Sequence, residues 1–387
     1  MVTGRFRKQR QQPLLVSLQT TGERGGAEYA NVDLLAALQR RGHAVLLATN
    51  LGQLAAGTDL PVEVVSLGPK LNRRSVIPLL LAAPWLLYRC ARLLARLQPD
   101  VLLLHFKKEQ LLCALLPRRL TGRIVWAEWG PVPRQLRRGL PRLLFAAASR
   151  RAEAVVAVSP GTARSLLEAG VEAERVTVVP NLVDPARIRR DPAARDRIRA
   201  GWGVGERTCV IGCISRFQRK KRNDVLIDAM VLLQGEDAIL VLAGEGEELP
   251  ALQRRAAPLG DRVRFHPNVR GHAVEFLSAC DLLAFAPSPT EGEPRVIVMA
   301  QLVGLPVVAT APEGAVDLVV DGAGVIAEPP NDPHAVAVAL GAYVNDPKRR
   351  TVEGEQARRL REQSHDPERN LRALERALGM VLDEERL

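Results

Sequence analysis

Short, unbroken apolar runs recur along this chain, each followed by a stretch in which apolar residues return at helical spacing. Leu14–Leu18 reads as a first strand. A Thr/Gly-rich loop, TTGERGGAE, follows, then a helix from Glu28 to Arg41 with Ala30, Leu34, Ala37 and Leu38 on its buried face. Gly42 ends that helix and His43–Ala48 is the next strand. Val62–Ser66, Val101–Leu104, Ile124–Val125, Val155–Val158 and Val176–Val179 continue the series. Strands that are apolar throughout, rather than alternating, belong to parallel sheets covered on both faces by helices.

The pattern breaks at PNLVDP, Pro180 to Pro185, the best candidate hinge. It then restarts: strand Cys209–Ile214, helix Val225–Leu233, strand Ile239–Ala243, helix Leu249–Ala257, strand Val263–Phe265. Strands at Leu282–Ala284, Pro306–Ala309 and Val325–Ile326 follow, and Arg/Glu-rich helices run from Pro333 to the C-terminus. Alternation on both sides of a break predicts two doubly wound α/β domains, 1–184 and 185–355. C-terminal helices at 356–387 could cross back to the first domain.

Composition sharpens this only in places. A length of 387 residues with 47% apolar content suits two cores. The five cysteines form no CxxC pair and read as reduced core thiols; Cys209 and Cys213 share a strand face but sit too far apart to bridge. Six scattered histidines argue against a metal site. No secretory signal is evident, and the apolar run Val76–Tyr88, broken by Pro78 and Pro84, is too short to span a bilayer, so a cytosolic location is expected.

The net charge of +11 is lopsided: 26 Lys and Arg against 13 Asp and Glu through Asp184, then 28 against 30. A basic first half suggests an anionic partner. Trp85–Leu97 is a basic amphipathic helix with apolar residues at 86, 90, 93, 94 and 97, and Pro131–Arg151 adds Arg134, Arg137, Arg138, Arg142, Arg150 and Arg151. Packing of the apolar faces on the sheet, with the arginines solvated, is the first reading, and docking on an anionic membrane surface is the alternative. Nucleic acid is not expected, because the basic stretch lacks interleaved aromatics.

Candidate chemistry lies where loops leave the carboxyl ends of strands. Gly25 and Gly26 would let backbone N–H groups approach a phosphate or sugar, or simply close a tight turn. After Cys209–Ile214 come Arg216 and Lys221, a planar fork and a point charge suited to a diphosphate, unless they form a solvated basic loop. Gly244 and Gly246 follow the next strand. His266 ends Val263–Phe265 and reads as a rim residue. The loop Glu291-Gly292-Glu293-Pro294-Arg295 opens a helix, where free N–H groups and Glu291 would meet a polar ligand.

Together these strings resemble family-4 retaining glycosyltransferases of the GT-B fold, over Leu14 to about Leu340. The resemblance implies two Rossmann-like domains facing a central cleft and a metal-independent hexosyltransferase without a cofactor. Its donor substrate would be a nucleotide-diphosphate sugar and its acceptor a glycan, a lipid-linked molecule or a small molecule. Arg216 and Lys221 would hold the diphosphate, Glu291 the sugar hydroxyls, and the Gly25–Gly26 loop would face the donor. Gly244, Gly246 and the His266 segment would shape the nucleotide pocket. His105 ends Val101–Leu104 where the family often has His, though a packing role is equally open. Glu128 or Trp129 takes the place of a further family His near the reacting carbon.

Three departures stand out. Arg222 replaces the glycine that commonly follows the diphosphate lysine. Met299 replaces the second glutamate, whose carboxylate would accept from ribose hydroxyls; a thioether is a feeble acceptor. Glu293 stands where an apolar residue is usual; it could reach a ligand hydroxyl but is expected to face solvent. They keep open an alternative, a catalytically impaired relative acting as a binding or scaffold protein.

Overall fold

The computed structural model describes residues 12–20, 25–68, 75–267, 269, 271–287, 291–310 and 316–381. Of the loops singled out above, positions 21–24, 268 and 288–290 lie outside the described residues. The chain divides into two compact units, one formed by 1–182 with 367–387 and the other by 183–366. The division falls inside Pro180–Pro185.

In the first unit, β1 (Leu14–Gln19), α1 (Gly26–Arg40), β2 (Ala44–Thr49), β3 (Val62–Val64), α2 (Val76–Leu97) and β4 (Val101–Leu104) come first. Next are α3 (Lys107–Ala114), α4 (Arg118–Thr121), β5 (Arg123–Glu128), α5 (Gly139–Ser149), β6 (Ala154–Ala157), α6 (Pro160–Glu168) and β7 (Val176–Val178). Among the described residues the strands form one parallel sheet in the order β3-β2-β1-β4-β5-β6-β7. One core packs α1 against one face; α2, α3, α5 and α6 cover the other.

The second unit holds α7 (Pro192–Gly201), β8 (Cys209–Ile214), α8 (Asn223–Leu232), β9 (Ala238–Ala243), α9 (Leu249–Ala256), β10 (Val263–His266) and α10 (Ala273–Ala279). It continues with β11 (Leu282–Phe285), α11 (Arg295–Val303), β12 (Val307–Thr310), β13 (Gly324–Ala327), α12 (Pro333–Val344) and α13 (Pro347–Ser364). Its sheet is again parallel, β10-β9-β8-β11-β12-β13. The unit runs past 355 because α13 packs on α11. The final helix, α14 (Pro367–Leu378), belongs to the first unit: Leu371, Leu374 and Leu378 enter its core, and Glu375 lies 2.7 Å from His43 and 2.8 Å from Arg41.

Both sheets reverse strand order once, between β1 and β4 and between β8 and β11. At such a point two neighbouring strands send their following loops apart, opening a crevice at the carboxyl edge. Each candidate loop except those after β5, β9 and β10 leaves one of these four strands. All five cysteines are buried and free, and Cys90 and Cys113, from α2 and α3, bring their sulfurs to 3.6 Å. Among the described residues, no helix is long and apolar enough to cross a membrane.

Candidate functional site

The reversal in the second sheet explains how residues seventy positions apart meet. β8 and β11 are neighbours, with Leu282 beside Ile211. The loop after β8 carries Arg216 and Lys221; the loop after β11 carries Glu291. Lys221 Nζ donates to Glu291 Oε1 at 2.6 Å. Both side chains are largely covered, so the pair is shielded from solvent more than a surface bridge would be. The Lys221 ammonium also sits 5.6 Å from the Phe285 ring centroid. Arg216 is half-buried in the same loop.

Lys221 ends a single 3-10 turn, and Arg222 then adopts left-handed backbone at φ +48°. That conformation costs a non-glycine residue about 1–2 kcal/mol, which is a physical reason for glycine at this position. The Arg222 guanidinium offsets part of it by donating to Asp224 at 3.1 Å. Arg222→Gly is expected to raise stability by about 0.5–1 kcal/mol, read as a higher denaturant midpoint.

The glycine turn after β9 supports this loop from beneath. A Cβ on Gly244 would lie 1.9 Å from the Ser215 carbonyl oxygen, and one on Gly246 would lie 2.4 Å from that of Phe217. The close approach is hydrogen-bonded. Phe217 N donates to Glu245 O at 2.8 Å, and Glu248 N donates to Phe217 O at 2.9 Å. Gly244 N donates to His266 O at 3.2 Å. The His266 ring lies edge-on to Trp202 and Phe276, and its Nδ1 donates to the Pro267 carbonyl.

In the β11–α11 loop, Gly292 and Pro294 are buried and Pro294 caps α11, with Arg295 half-buried at its first position. Glu293 does not face solvent as expected; it is buried. Because α11 packs on α13, the loop is carried beneath the end of that helix. The Glu293 carboxylate lies 3.3 Å from His365 Nε2, within ionic range though off the hydrogen-bond angle. Burial pushes the nearby Arg361 guanidinium down, and Glu293 pulls it back up. Removing the carboxylate strands buried groups, so Glu293→Ala is expected to cost about 3 kcal/mol by calorimetry, and Glu293→Gln less. Met299 packs its side chain against the core formed with Ile297, Val298 and Leu302.

The first unit gathers a polar network at the carboxyl edge of β1, β4 and β5. His105 is buried. Its Nδ1 accepts from the Trp129 indole at 2.9 Å, which places the ring proton on Nε2, 2.7 Å from Ser17 Oγ. Burial pushes its pKa down to about 3, so the ring stays neutral near pH 7. Asn31 bridges Ser17 and Gln19. Glu128 ends β5, is ion-paired to Lys107 and accepts from Gln110 at 2.7 Å. Thr20 donates to the buried Glu109, whose carboxyl is raised chiefly by desolvation. Gly25 is extended at the N-cap of α1, and a Cβ on Gly26 would meet nothing within 4 Å. Gly26 is therefore not demanded by packing.

The structure thus brings Lys221 to Glu291 and seats the Arg216 loop on Gly244 and Gly246. It ties His105, Glu128 and Glu293 into buried networks. The sequence reading missed their partners Ser17, Asn31, Lys107, Gln110, Arg361 and His365. Each partner lies in a different element from the residue it meets, beyond the reach of local spacing. Among the described residues no group of three or more His, Cys, Asp or Glu could hold a metal ion.

Two family descriptions match the chain: "Glycosyltransferase Family 4" over residues 24–187 and "Glycosyl transferases group 1" over 194–360. A Mycolicibacterium smegmatis protein named GDP-mannose-dependent alpha-(1-6)-phosphatidylinositol monomannoside mannosyltransferase is 35% identical over 46% of this chain and 49% of its own. A D-inositol 3-phosphate glycosyltransferase of Xylanimonas cellulosilytica is 33% identical over 51% and 50%. The chain thus spans about half the length of these curated relatives. In fold, it resembles Anabaena HepE, solved with UDP and glucose, with a TM-score of 0.78 at 23% identity over 95% of this chain and 99% of that one. Sucrose-phosphate synthase from Thermosynechococcus elongatus gives 0.77 at 17% over 94% and 98%. With both units matched and the reversal-point loops in place, the chain belongs to the family-4 glycosyltransferases of the GT-B fold.

Proposed function

We propose that this protein moves a hexosyl group from a nucleotide-diphosphate sugar to a glycan, lipid-linked or small-molecule acceptor, with retention of configuration and without a metal. The observation that carries this is the Lys221–Glu291 pair at the β8/β11 reversal. It sets a cation for the diphosphate beside a carboxylate for the sugar hydroxyls. A relative named as GDP-mannose-dependent supports a nucleotide-sugar donor.

In this reading Lys221 exchanges part of its contact with Glu291 for the incoming diphosphate, and Arg216 takes a second phosphate oxygen. Glu291, once released, accepts from sugar hydroxyls. The bond from the anomeric carbon to the diphosphate oxygen then breaks as the acceptor oxygen attacks from the same face. The departing diphosphate takes the acceptor's proton. Arg216 and Lys221 carry the developing negative charge, the role a metal plays elsewhere. Within the second unit, Gly244, Gly246, His266, Gly292, Pro294 and Arg295 shape the pocket, and Glu293 positions its loop.

Calorimetric titration with a panel of nucleotide sugars tests the reading. Binding of one, with release of its nucleoside diphosphate on adding acceptor and an α-linked product from an α-linked donor, is expected. No binding across the panel refutes it. Met299, half-buried against the core where a ribose-binding glutamate would stand, favours the alternative of a binding or scaffold protein. That alternative predicts binding without transfer to any acceptor.

A further inference from the structure

The helices that cover the second face of the first sheet have an outer side that core packing does not use. On α2 the residues read as its apolar face from sequence, Leu86, Cys90, Leu93, Leu94 and Leu97, are buried against the sheet or neighbouring helices. A separate stripe points outward: Leu81 is 80% exposed, Trp85 54% and Tyr88 59%. These positions recur at helical spacing and continue into exposed Arg92 and Arg96. On α5, Leu140, Leu143 and Leu144 are each at least 60% exposed. α3 contacts both helices and leaves Leu115 exposed at its end.

Single exposed leucines are ordinary; outward clusters on adjoining helices are not. The charge around them is one-sided, with fourteen Lys and Arg against three Asp and Glu between Trp85 and Arg151. Part of this charge is spent internally. Arg137 and Arg142 bind backbone carbonyls, and Arg151 donates to Leu116 O. The Arg89 and Arg92 guanidiniums lie over the rings of Trp85 and Tyr88, 4.7 and 5.8 Å from the centroids. Among the described residues neither is ion-paired, whereas Arg96 beside them is paired to Glu63. With Tyr88, Arg96, Glu63 and the segment 64–67 at and after the end of β3, Arg89 and Arg92 line a groove of about 490 Å³.

We propose that this layer is a membrane-docking surface, with the α2 and α5 apolar side chains entering the interface and the Arg89/Arg92 groove receiving the phosphate of an anionic lipid. Aromatic and leucine side chains with arginines beside them are the chemistry of interfacial helices, apolar below the headgroups and cationic among them. The surface is independent of the donor site: it uses residues of the first unit alone and would stand if no transfer occurred.

Co-sedimentation of the full chain with two vesicle types tests it, one of phosphatidylcholine alone and one also containing phosphatidylglycerol. Binding to the anionic vesicles, weakened by salt, and little to the neutral ones is expected. The double variant Leu143→Asp with Leu144→Asp should lose about tenfold or more in vesicle affinity. Arg92→Glu should lose about fivefold or more, given ~1 kcal/mol per basic residue at such a surface. These side chains are exposed, so circular dichroism should show unchanged folding. Wild-type protein that ignores anionic vesicles, or binds neutral ones as tightly, overturns the proposal. So does binding that neither variant weakens.

Discussion

Lys221→Ala is expected to weaken nucleoside-diphosphate binding by roughly 10- to 150-fold, and to lower kcat/KM for transfer by about a thousandfold. The first figure follows from losing one charge-assisted hydrogen bond to phosphate, about 1.5–3 kcal/mol. The larger kinetic loss has a second source. Lys221 now neutralises Glu291 at 2.6 Å. Without it, a mostly covered carboxylate would face a diphosphate whose negative charge grows as the glycosyl bond breaks. Glu291→Gln provides the contrast, since it frees Lys221 while removing the sugar-facing charge. Nucleoside-diphosphate affinity should hold or rise, while transfer falls. Titration with the free diphosphate alongside turnover measurements separates the two roles. Equal losses of both in Glu291→Gln would contradict the assignment.

Gly244→Ala is expected to destabilise the second unit by about 3 kcal/mol or more and to abolish measurable diphosphate binding. The added methyl would need the space of the Ser215 carbonyl, at 1.9 Å, in a backbone conformation of φ +153° that side chains rarely adopt. The Ser215 carbonyl cannot yield cheaply, because Ser215 N is itself bonded to Ala243 O at 3.1 Å and continues the strand ladder. The loop carrying Arg216 would have to lift away. A control is Gly26→Ala, where a Cβ meets nothing within 4 Å and stability should barely change. Thermal unfolding of the two variants side by side checks this, and a Gly244→Ala protein as stable as wild type would refute the packing account.

Both predictions depend on features that differ in how far they can be read from sequence. The strands of the second sheet were legible because parallel strands buried on both faces are apolar throughout; Cys209–Ile214 has the same limits in sequence and structure, and all six residues of Ala238–Ala243 are buried. Helix starts at Ser159, Asp191 and Asp332 carry a capping side chain followed by proline, a local signal. Strand ends were harder. β5 runs to Glu128, beyond the expected Val125, because Glu128 is still in register with Ala157 and spends its charge on Lys107.

The site was legible as motifs and illegible as contacts. Arg216, Lys221 and Glu291 were named from their loops, but that Lys221 and Glu291 touch follows from strand order. Glu293 was expected at the surface, although it stands where an apolar residue is usual. Its burial is imposed by the C-terminal end of α13, some seventy residues on, where Arg361 and the capping His365 lie. The closeness of Cys90 and Cys113 is likewise a product of α2 crossing α3.

The central claim is that the β8/β11 reversal grips a diphosphate with Arg216 and Lys221 while Glu291 orients the attached sugar. The most direct measurement is a crystal structure of the protein soaked with the nucleotide sugar that binds best in titration. Phosphate oxygens within hydrogen-bond distance of both cations, with a lengthened Lys221–Glu291 contact and a sugar hydroxyl on Glu291, is the predicted result. A nucleotide seated elsewhere, or a bound donor that leaves the Lys221–Glu291 pair intact and untouched, would contradict it.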